Sequence, residues 1–507
     1  MSDLSRWIDR HAGFAPSKIA LRFQGGATSY AELAARIDAA ARMLTAGLRL
    51  KCGDRFAWLG YNAPELLVLL FAAARTGLIL VPLNWRLAPP EHKQILADCG
   101  ASVLFASREF VEVALAALPN SDCRLIGADD AIGGAPSLKE LLNDPRSQSH
   151  DAGDMSLPLL IVYTSGTTGE PKGAVLTQEA LLWNALNSVH MHDMRADDHV
   201  LTVLPMFHVG GLNIQTTPAL YMGATVTLHP RFDPGATLQS FAVDRPTLTV
   251  QVPSTLQALI AHPAWASASL SSLRAVATGS TDVPVPLIEA FHARKVPVIQ
   301  IYGSTETGPV AVYQRAQDAF ATVGSIGRRG LHTDIRIVDR DGHDVSVGEP
   351  GEILVRGPHV ATGYWNAPSV SANTFRDGWF HSGDVASADE RGWLWFKDRI
   401  KNVIISGGEN IYPAELERVL HNIPGVVEAA VVARPDVRWG AVPVAVVVRE
   451  GQSPDRAAVL KAFDGRLARF KHPKEVLFTD SLPRNAMGKV RIEAVSALAQ
   501  NAHAAAS

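Results

Sequence analysis

The alternation of apolar and polar positions changes character along the chain. Up to about residue 400, short apolar runs rich in β-branched residues alternate with segments that have a helical period. The runs that we interpret as buried strands are 78–83, 102–105, 157–162, 200–204, 224–228, 248–252, 275–277 and 298–301. Because buried strands separated by helices form layers, this pattern predicts an α/β fold.

Two helices can be located closely from their end signals. Ser29 and Glu32 have the spacing of a capping box, which predicts that a helix begins there. The apolar run 66–74 lies between Pro64 and Gly77, which are typical of the start and the end of a helix. That run is far shorter than the ~20 residues that cross a bilayer. We therefore expect a buried helix there and no membrane span.

The pattern changes near Thr333 to short β segments separated by turn residues, which predicts a small β subdomain over 333–400. Beyond it, we predict a separate α+β module with helices at 413–420 and 456–470 and strands at 428–432 and 442–448. The predicted domains are therefore a large N-terminal domain, 1–400, and a small C-terminal domain, 401–507.

Composition excludes several classes of protein. Apolar residues make up 47% of the 507 residues and charged residues 19%, a profile typical of a soluble globular enzyme. A net charge of -3 provides no basic field for nucleic acid. Cys52, Cys99 and Cys123 are widely spaced and form no Cys-x-x-Cys pair, which argues against a disulfide framework or a zinc site. With no apolar signal segment at the N-terminus, these features predict a cytoplasmic protein.

The segment 163–173, Tyr-Thr-Ser-Gly-Thr-Thr-Gly-Glu-Pro-Lys-Gly, has the composition of a phosphate-binding loop. Three glycines let backbone N–H groups approach an anion, and four hydroxyls and Lys172 add side-chain donors. Lys172 follows Pro171 and precedes Gly173, so the segment does not match the Walker A pattern. A flexible linker is the alternative, but Pro171 and Lys172 directly after an apolar run weigh against it.

The segment also resembles the motif loop of the adenylate-forming enzymes, which include acyl-CoA synthetases, aryl-CoA ligases, luciferases and peptide-synthetase adenylation domains. Further motifs of that family follow in the expected order: Leu-Pro-Met-Phe-His (204–208), Tyr-Gly-Ser-Thr-Glu (302–306), His-Ser-Gly-Asp (381–384), Asp-Arg-Ile-Lys-Asn (398–402) running into 405–413, and Pro-Arg-Asn-Ala-Met-Gly-Lys (483–489). The resemblance spans most of the chain. It implies an ATP-dependent carboxylic acid:CoA ligase with a C-terminal lid that moves about a hinge at Lys401.

The resemblance assigns nucleotide roles residue by residue. It implies that ATP or AMP is bound by Thr164, Ser165, Gly166, Thr167, Thr168, Gly169, Lys172, Gly279, Ser280, Thr281, Tyr302, Gly303, Ser304, Thr305, Asp384, Arg399 and Lys489. Lys172 and its loop would hold the leaving pyrophosphate, and Glu306 would bind Mg²⁺ as a hard oxygen ligand. Asp384 and Arg399 would bind the ribose. Asp398 stands where the family usually has Gly, and Gly279 to Thr281 match the family more loosely.

The remaining chemistry is implied in the same way. The catalytic residues would be Lys172, Thr305, Glu306 and Lys489, with Lys489 bridging the acid and the α-phosphate. The acyl pocket would be lined by Trp183, His208, Val209, Gly210, Gly303, Pro309 and Val310. These residues include no Lys or Arg, which favours a monocarboxylic acid, either aryl or short-to-medium alkyl. CoA would be bound by Gly407, Gly408, Phe470, Lys471 and Lys474.

The resemblance thus implies ATP, Mg²⁺ and coenzyme A as co-substrate, with a homodimer as one option for assembly. Three alternatives stay open. An acyl-AMP ligase would load the thiol of a carrier protein, and a luciferase-like enzyme would oxidise the adenylate with O₂. A non-catalytic nucleotide-binding relative should lack Lys172, Glu306 or Lys489, and all three are present.

Overall fold

The structure is a computed structural model that describes residues 2–118, 123–131, 134–142, 151–165, 171–279, 283–406, 409–436, 439–485 and 488–506. Its helices are α1 (Arg6–Phe14), α2 (Tyr30–Arg42), α3 (Pro64–Thr76), α4 (Pro89–Cys99), α5 (Val111–Ala117), α6 (Leu138–Leu142), α7 (Gln178–His192), α8 (Val209–Asn213), α9 (Thr216–Met222), α10 (Pro234–Val243), α11 (Pro253–Ala261), α12 (Val285–His292), α13 (Pro368–Thr374), α14 (Pro413–His421), α15 (Arg456–Lys461) and α16 (Ile492–Ala506).

The strands are β1 (Ile19–Phe23), β2 (Gly26–Ser29), β3 (Arg55–Leu59), β4 (Ile79–Pro82), β5 (Val103–Ala106), β6 (Arg124–Gly127), β7 (Pro158–Ser165), β8 (Pro171–Thr177), β9 (His199–Thr202), β10 (Thr225–Leu228), β11 (Leu248–Gln251), β12 (Ala275–Thr278), β13 (Val298–Tyr302), β14 (Val312–Tyr313), β15 (Arg328–Arg329), β16 (Asp334–Val338), β17 (Gly351–Arg356), β18 (Phe375–Arg376), β19 (Trp379–Ala388), β20 (Leu394–Arg399), β21 (Ile404–Ser406), β22 (Glu409–Ile411), β23 (Val426–Asp436), β24 (Gly440–Arg449) and β25 (Glu475–Phe478).

The chain divides into two compact units. Unit 1 contains Met1–Ile335 and Val355–His381, and unit 2 contains Arg336–Leu354 and Ser382–Ser507. The sequence predicts a boundary at residue 400 instead. The difference arises because β19 pairs with β20 and α14 packs on β20, which groups residues 382–399 with the C-terminal elements. The mixed α/β class, with a large N-terminal part and a small C-terminal part, is confirmed.

Unit 1 contains two mainly parallel sheets. Their strand orders are β15-β14-β13-β12-β11-β9-β10-β1-β2 and β6-β5-β3-β4-β7-β8. One hydrophobic cluster includes side chains of both sheets together with α3, whose residues are almost all buried. As predicted, α3 begins at Pro64, and Gly77 follows it with a φ of 70°. The predicted capping box at Ser29 and Glu32 is also confirmed at the start of α2.

Unit 2 is built around the sheet β23-β24-β25. Alternate residues of β23 and β24 face opposite sides, so Val431 and Val447 pack with Leu416 of α14 on one side. On the other side Val432 and Val446 form a second cluster with residues of α16. The predicted helix over 456–470 is wrong: α15 ends at Lys461, and Gly465 then adopts a φ of 72°, a left-handed conformation outside a helix. Among the described residues, no helix has the length and apolar character needed to cross a bilayer.

Candidate active site

Lys172 stands at the base of the predicted phosphate loop. β7 and β8 form an antiparallel hairpin in which Thr164 lies opposite Lys172, and Thr164 Oγ1 donates to the Lys172 carbonyl over 3.4 Å. A Cβ at Gly173 would lie 2.5 Å from the Ile161 side chain, so this position requires glycine. Gly166, Thr167, Thr168 and Gly169, and the side chain of Ser165, lie outside the described residues.

The segment after β13 doubles back on itself. A Cβ at Gly303 would lie 1.8 Å from the Pro309 carbonyl oxygen, so the close approach of the two strands of backbone requires glycine. The Ser304 N–H donates to Thr307 Oγ1 over 2.8 Å and closes the one-turn helix Thr305–Thr307. This turn follows Tyr302 at the carboxyl end of β13, where parallel sheets place their ligands.

Glu306 and Lys172 both approach the side chain of Tyr364. Tyr364 Oη donates to Glu306 Oε1 over 2.7 Å, and Lys172 Nζ lies 5.9 Å from the centre of the Tyr364 ring. Burial and the neighbouring Glu306 carboxylate raise the pKa of Tyr364, so its phenol is protonated and remains a donor. The structure thus brings together the predicted Mg²⁺ ligand and the predicted phosphate-binding lysine.

Tyr364 was missed by the sequence analysis. Its contact with Glu306 joins residues that are 58 positions apart. In the sequence, Tyr364 stands out only as one of two adjacent aromatic residues, Tyr364 and Trp365, after Gly363. Such a pair is ordinary in a hydrophobic core, so it does not indicate a functional role.

Two buried asparagines of α7 join the predicted acyl-pocket elements. Asn184 Oδ1 accepts the Val310 N–H at 2.9 Å, and Asn184 Nδ2 donates to the carbonyl of Asn213 in α8 at 2.7 Å. Asn187 Nδ2 donates to the Val310 carbonyl at 3.0 Å. These bonds connect α7, α8 and the segment after β13. The predicted acyl residues lie on these elements or directly before α8: Trp183, His208, Val209, Gly210, Gly303, Pro309 and Val310. Asn187 was not among the residues predicted from the sequence.

The aromatic side chains of this region have defined neighbours. The Trp183 ring packs edge-on against His332 at 4.9 Å between ring centres. His208 precedes α8, is partly exposed, and lies 5.1 Å from the Phe207 ring. Gly279 follows β12, where a Cβ would lie 2.4 Å from the Ile301 carbonyl. The next two predicted nucleotide residues, Ser280 and Thr281, lie outside the described part of the chain.

A buried histidine supports the turn that carries Glu306. His359 Nδ1 donates to the Thr307 carbonyl at 2.8 Å, so the neutral ring presents Nε2 as an acceptor for Thr333 Oγ1, also at 2.8 Å. Thr333 Oγ1 in turn accepts from Asn187 Nδ2 at 3.0 Å. Burial lowers the pKa of His359 to about 4, which keeps the ring neutral in this network at neutral pH.

In unit 2, Asp384 and Arg399 face each other on neighbouring strands. They are cross-strand partners in β19 and β20, and Arg399 Nε lies 3.2 Å from Asp384 Oδ1. The Asp384 carboxylate is buried, whereas the Arg399 side chain is 53% exposed. This pair provides one carboxylate and one exposed guanidinium, the groups predicted to bind ribose hydroxyls.

Asp398 has a clear structural role, although the family usually has Gly at this position. Its Oδ1 accepts from the Arg399 N–H and from Asn402 Nδ2, and its Oδ2 accepts from the Ala414 N–H at 2.7 Å. Burial raises the pKa of Asp398, and these three bonds act in the opposite direction. The carboxylate thus joins the end of β20, the turn Ile400–Asn402 and the start of α14.

The other predicted residues of unit 2 lie in separate local settings. Lys401 Nζ lies 3.7 Å from Glu493, and Lys471 Nζ donates to Glu415 at 2.7 Å. The side chains of Phe470 and Lys474 are exposed. Gly407 and Gly408 lie outside the described residues, between β21 and β22.

Lys489 ends a short turn. Its N–H donates to Asn485 Oδ1 at 3.0 Å, while the Asn485 N–H donates back to the Lys489 carbonyl at 2.9 Å. An isolated bridge between Arg484 and Val490 closes the turn. The backbone of Lys489 is therefore fixed by its neighbours, and the side chain is partly exposed.

Comparison with known proteins covers nearly the whole chain. An indoleacetate–CoA ligase from Aromatoleum aromaticum is 52% identical over 503 residues, 98% of each chain. A feruloyl-CoA synthase from Amycolatopsis is 43% identical over 494 residues, 96% of this chain and 97% of that protein. The solved structure of O-succinylbenzoate coenzyme A synthetase from Bacillus subtilis, in complex with ATP and magnesium, superposes with a TM-score of 0.85 at 31% identity, covering 96% of this chain and 98% of that one.

Sequence models of one family match both parts of the chain. The model described as AMP-binding enzyme matches residues 8–365. The model described as AMP-binding enzyme C-terminal domain matches residues 415–489. The two matches follow the order of the motifs found in the sequence. The chain therefore belongs to the family of AMP-binding enzymes.

Proposed function

We propose that this enzyme joins an aromatic monocarboxylic acid to coenzyme A. The enzyme is an ATP-dependent acid:CoA ligase of the AMP-forming type. In the first half-reaction, a carboxylate oxygen attacks the α-phosphorus of ATP, and pyrophosphate leaves. In the second, the CoA sulfur attacks the acyl carbon, the thiol proton is released, and AMP leaves.

The observation that carries the proposed site is the placement of Lys172 and Glu306 at one tyrosine. Two anions must meet in the first half-reaction, so cations and aligned donors matter more than a base. Lys172 would hold the β- and γ-phosphates, and Thr305 would donate to the α-phosphate. Glu306 offers a carboxylate oxygen, which fits Mg²⁺ bound through one or two carboxylates and substrate phosphates. The ion supplies positive charge to the phosphates when bound.

The same proposal assigns the remaining nucleotide contacts. The Tyr302 ring would pack against adenine. The buried Asp384 carboxylate can accept from both ribose hydroxyls, with Arg399 beside it. Lys489 would stabilise the charge that develops during adenylation, and Gly407 and Gly408 would leave room for the thin pantetheine arm of CoA.

The choice of an aromatic acid rests on the surroundings of α7 and α8. Trp183, Val209, Pro309 and Val310 are uncharged, and the Asn184 and Asn187 side chains that join these elements already form hydrogen bonds with backbone groups and with Thr333. A second substrate carboxylate would thus lack a cationic partner among the assigned residues. The 52% identical relative is an indoleacetate–CoA ligase, which supports an aromatic acid over an alkyl one.

A panel of acids tests this proposal. Arylacetic, cinnamic, benzoic, medium-chain alkyl and dicarboxylic acids would be assayed by pyrophosphate release, each with and without CoA. We expect the highest kcat/KM with an aromatic monocarboxylic acid, and AMP release that requires CoA. Preference for an alkyl or dicarboxylic acid would contradict the substrate class, and transfer only to a carrier protein would contradict the acceptor.

We also propose a cytoplasmic location. Cys99 and Cys123 are free buried thiols, a state that a reducing compartment maintains. Fractionation of the source cells with detection of the protein would test this, since recovery outside the cytoplasm would contradict it.

A further inference from the structure

We propose that Tyr364 is a positioning residue for the magnesium site: its phenol O–H holds the Glu306 carboxylate so that the other carboxylate oxygen faces the ion. The inference rests on the proposed function, in which Glu306 is the metal ligand. It concerns a residue outside the motifs that the sequence analysis recognised.

The hydrogen bond engages one oxygen of the carboxylate. Tyr364 Oη donates to Glu306 Oε1 at 2.7 Å, the length expected of a bond from a hydroxyl to a charged carboxylate. Among the described residues, Glu306 Oε2 has no hydrogen-bond donor. One carboxylate oxygen is therefore fixed by the protein while the other can bind an ion. Donors of this kind fix the orientation of metal ligands, and their loss typically costs about 10- to 100-fold in metal affinity or activity.

The backbone on both sides of the bond is fixed. The Ala361 N–H donates to the Glu306 carbonyl at 2.7 Å, which holds the residue to the segment that leads into Tyr364. That segment then runs beside β8: the Val175 N–H donates to the Gly363 carbonyl at 3.0 Å, and the Trp365 N–H donates to the Gly173 carbonyl at 2.7 Å. Tyr364 therefore forms an isolated antiparallel β-bridge with Ala174, in the hairpin that carries Lys172.

Further contacts hold Tyr364 itself. Its N–H donates to Ser371 Oγ at 2.8 Å, and its ring packs against Phe375 at 5.7 Å between centres. Lys172 Nζ lies 5.9 Å from the ring centre, at the outer range of a cation–π contact. A fixed tyrosine can orient Glu306 before the ion arrives.

Tyr364→Phe tests the O–H alone, because it keeps the ring that Lys172 and Phe375 contact. We expect the Mg²⁺ concentration for half-maximal pyrophosphate release to rise by about 10-fold or more. Calorimetric titration of ATP at low Mg²⁺, without acid or CoA, should show a matching loss of affinity that high Mg²⁺ restores. Tyr221→Phe is the matched control, because Tyr221 lies in the same unit and contacts His11 and Trp7. It should leave the Mg²⁺ dependence unchanged.

The outcomes separate this inference from the proposed function. If Glu306→Gln shifts the Mg²⁺ dependence and Tyr364→Phe does not, the positioning role is overturned while the metal role of Glu306 stands. If Glu306→Gln leaves the Mg²⁺ titration unchanged, the proposed metal ligand itself is wrong. A Tyr364→Phe defect that is equal at all Mg²⁺ concentrations would indicate a structural role and overturn the inference. In the double variant, the effect of Tyr364→Phe should disappear, because no carboxylate remains to be oriented.

Discussion

At the scale of single residues, neutral polar side chains organise the site as much as charged ones do. His359, Asn187 and Thr333 form one chain of hydrogen bonds that ends on the Thr307 carbonyl, one residue beyond Glu306. Each member has a defined donor or acceptor role, and the role of His359 requires that its ring stay neutral. The position of Glu306 therefore depends on the protonation state of a residue that does not contact it.

This dependence predicts a loss of stability in acid. The pKa of His359 falls from 6.5 in the unfolded chain to about 4 in the folded protein. Between these values the unfolded state binds more protons, so stability decreases as the pH falls. Between pH 7 and pH 5 this single group should remove about 2 kcal/mol from the free energy of unfolding.

Urea unfolding at the two pH values would measure the effect. His359→Gln should show a smaller decrease than the natural protein, by about the 2 kcal/mol assigned to this group. His192 offers an independent repeat, because burial also lowers its pKa to about 4 in a separate network. An unchanged pH dependence in His359→Gln would refute the assignment.

Local sequence could identify some of these residues and not others. Lys172 and Glu306 lie in compact motifs whose composition already points to phosphate and metal chemistry. Tyr364 and Asn187 act through contacts with residues 58 and 123 positions away, and neither has a neighbouring residue type that reveals its partner. Their roles follow from the way β8 and α7 are placed in the fold.

At the scale of elements, the connection between β20 and α14 is held by one carboxylate. Asp398 is only 4% exposed and accepts three hydrogen bonds, including one from the Ala414 N–H in the first turn of α14. A negative charge at the start of a helix is also favourable. The connection contains Lys401, the predicted hinge, so Asp398 fixes both sides of the segment that is expected to move.

Removing this carboxylate should loosen the connection. Asp398→Ala leaves the Ala414 and Arg399 N–H groups without their acceptor, which should lower the free energy of unfolding by about 2 kcal/mol. Thermal and urea unfolding of the full chain would measure the change. Glu390→Ala, at an exposed turn residue of the same unit, should have little effect. Equal stability of the two variants would show that Asp398 does not support the connection.

Helices and strands could be predicted where apolar runs and helix-end residues alone determine them. The predicted run 248–252 contains β11, which ends at Gln251, the run 298–301 lies within β13, and the start of α14 at Pro413 was predicted to the residue. The helix predicted over 456–470 extends too far, because its apolar spacing continues past Gly465 while the backbone there is left-handed. The spacing of apolar residues does not reveal where the backbone leaves the helical conformation.

At the scale of the whole molecule, the residues proposed for nucleotide binding and catalysis occur in both compact units. Lys172, Tyr302, Thr305 and Glu306 belong to unit 1, and Asp384, Arg399 and Lys489 belong to unit 2. The family and the reaction could be predicted because the motifs of both units occur in order along the chain. The grouping of residues 382–399 with the C-terminal elements depends instead on the pairing of β19 with β20.

The different roles proposed for these residues predict that the two half-reactions can be separated. Lys489→Ala should lower the rate of adenylate formation by several orders of magnitude, because a preorganised cation at a developing charge is typically worth about 10²-fold or more. Transfer of the acyl group from a preformed adenylate to CoA does not include the attack of the carboxylate on the α-phosphorus, which is the step that Lys489 is proposed to assist, so it should be nearly unchanged. Pyrophosphate exchange would report the first half-reaction, and thioester formation from synthetic acyl-AMP would report the second.

The matched control is Lys461→Ala, which changes an exposed lysine of unit 2 and should leave both rates unchanged. If Lys489→Ala slowed both half-reactions equally, Lys489 would serve the fold or CoA binding, and the proposed division of labour between the two units would be wrong.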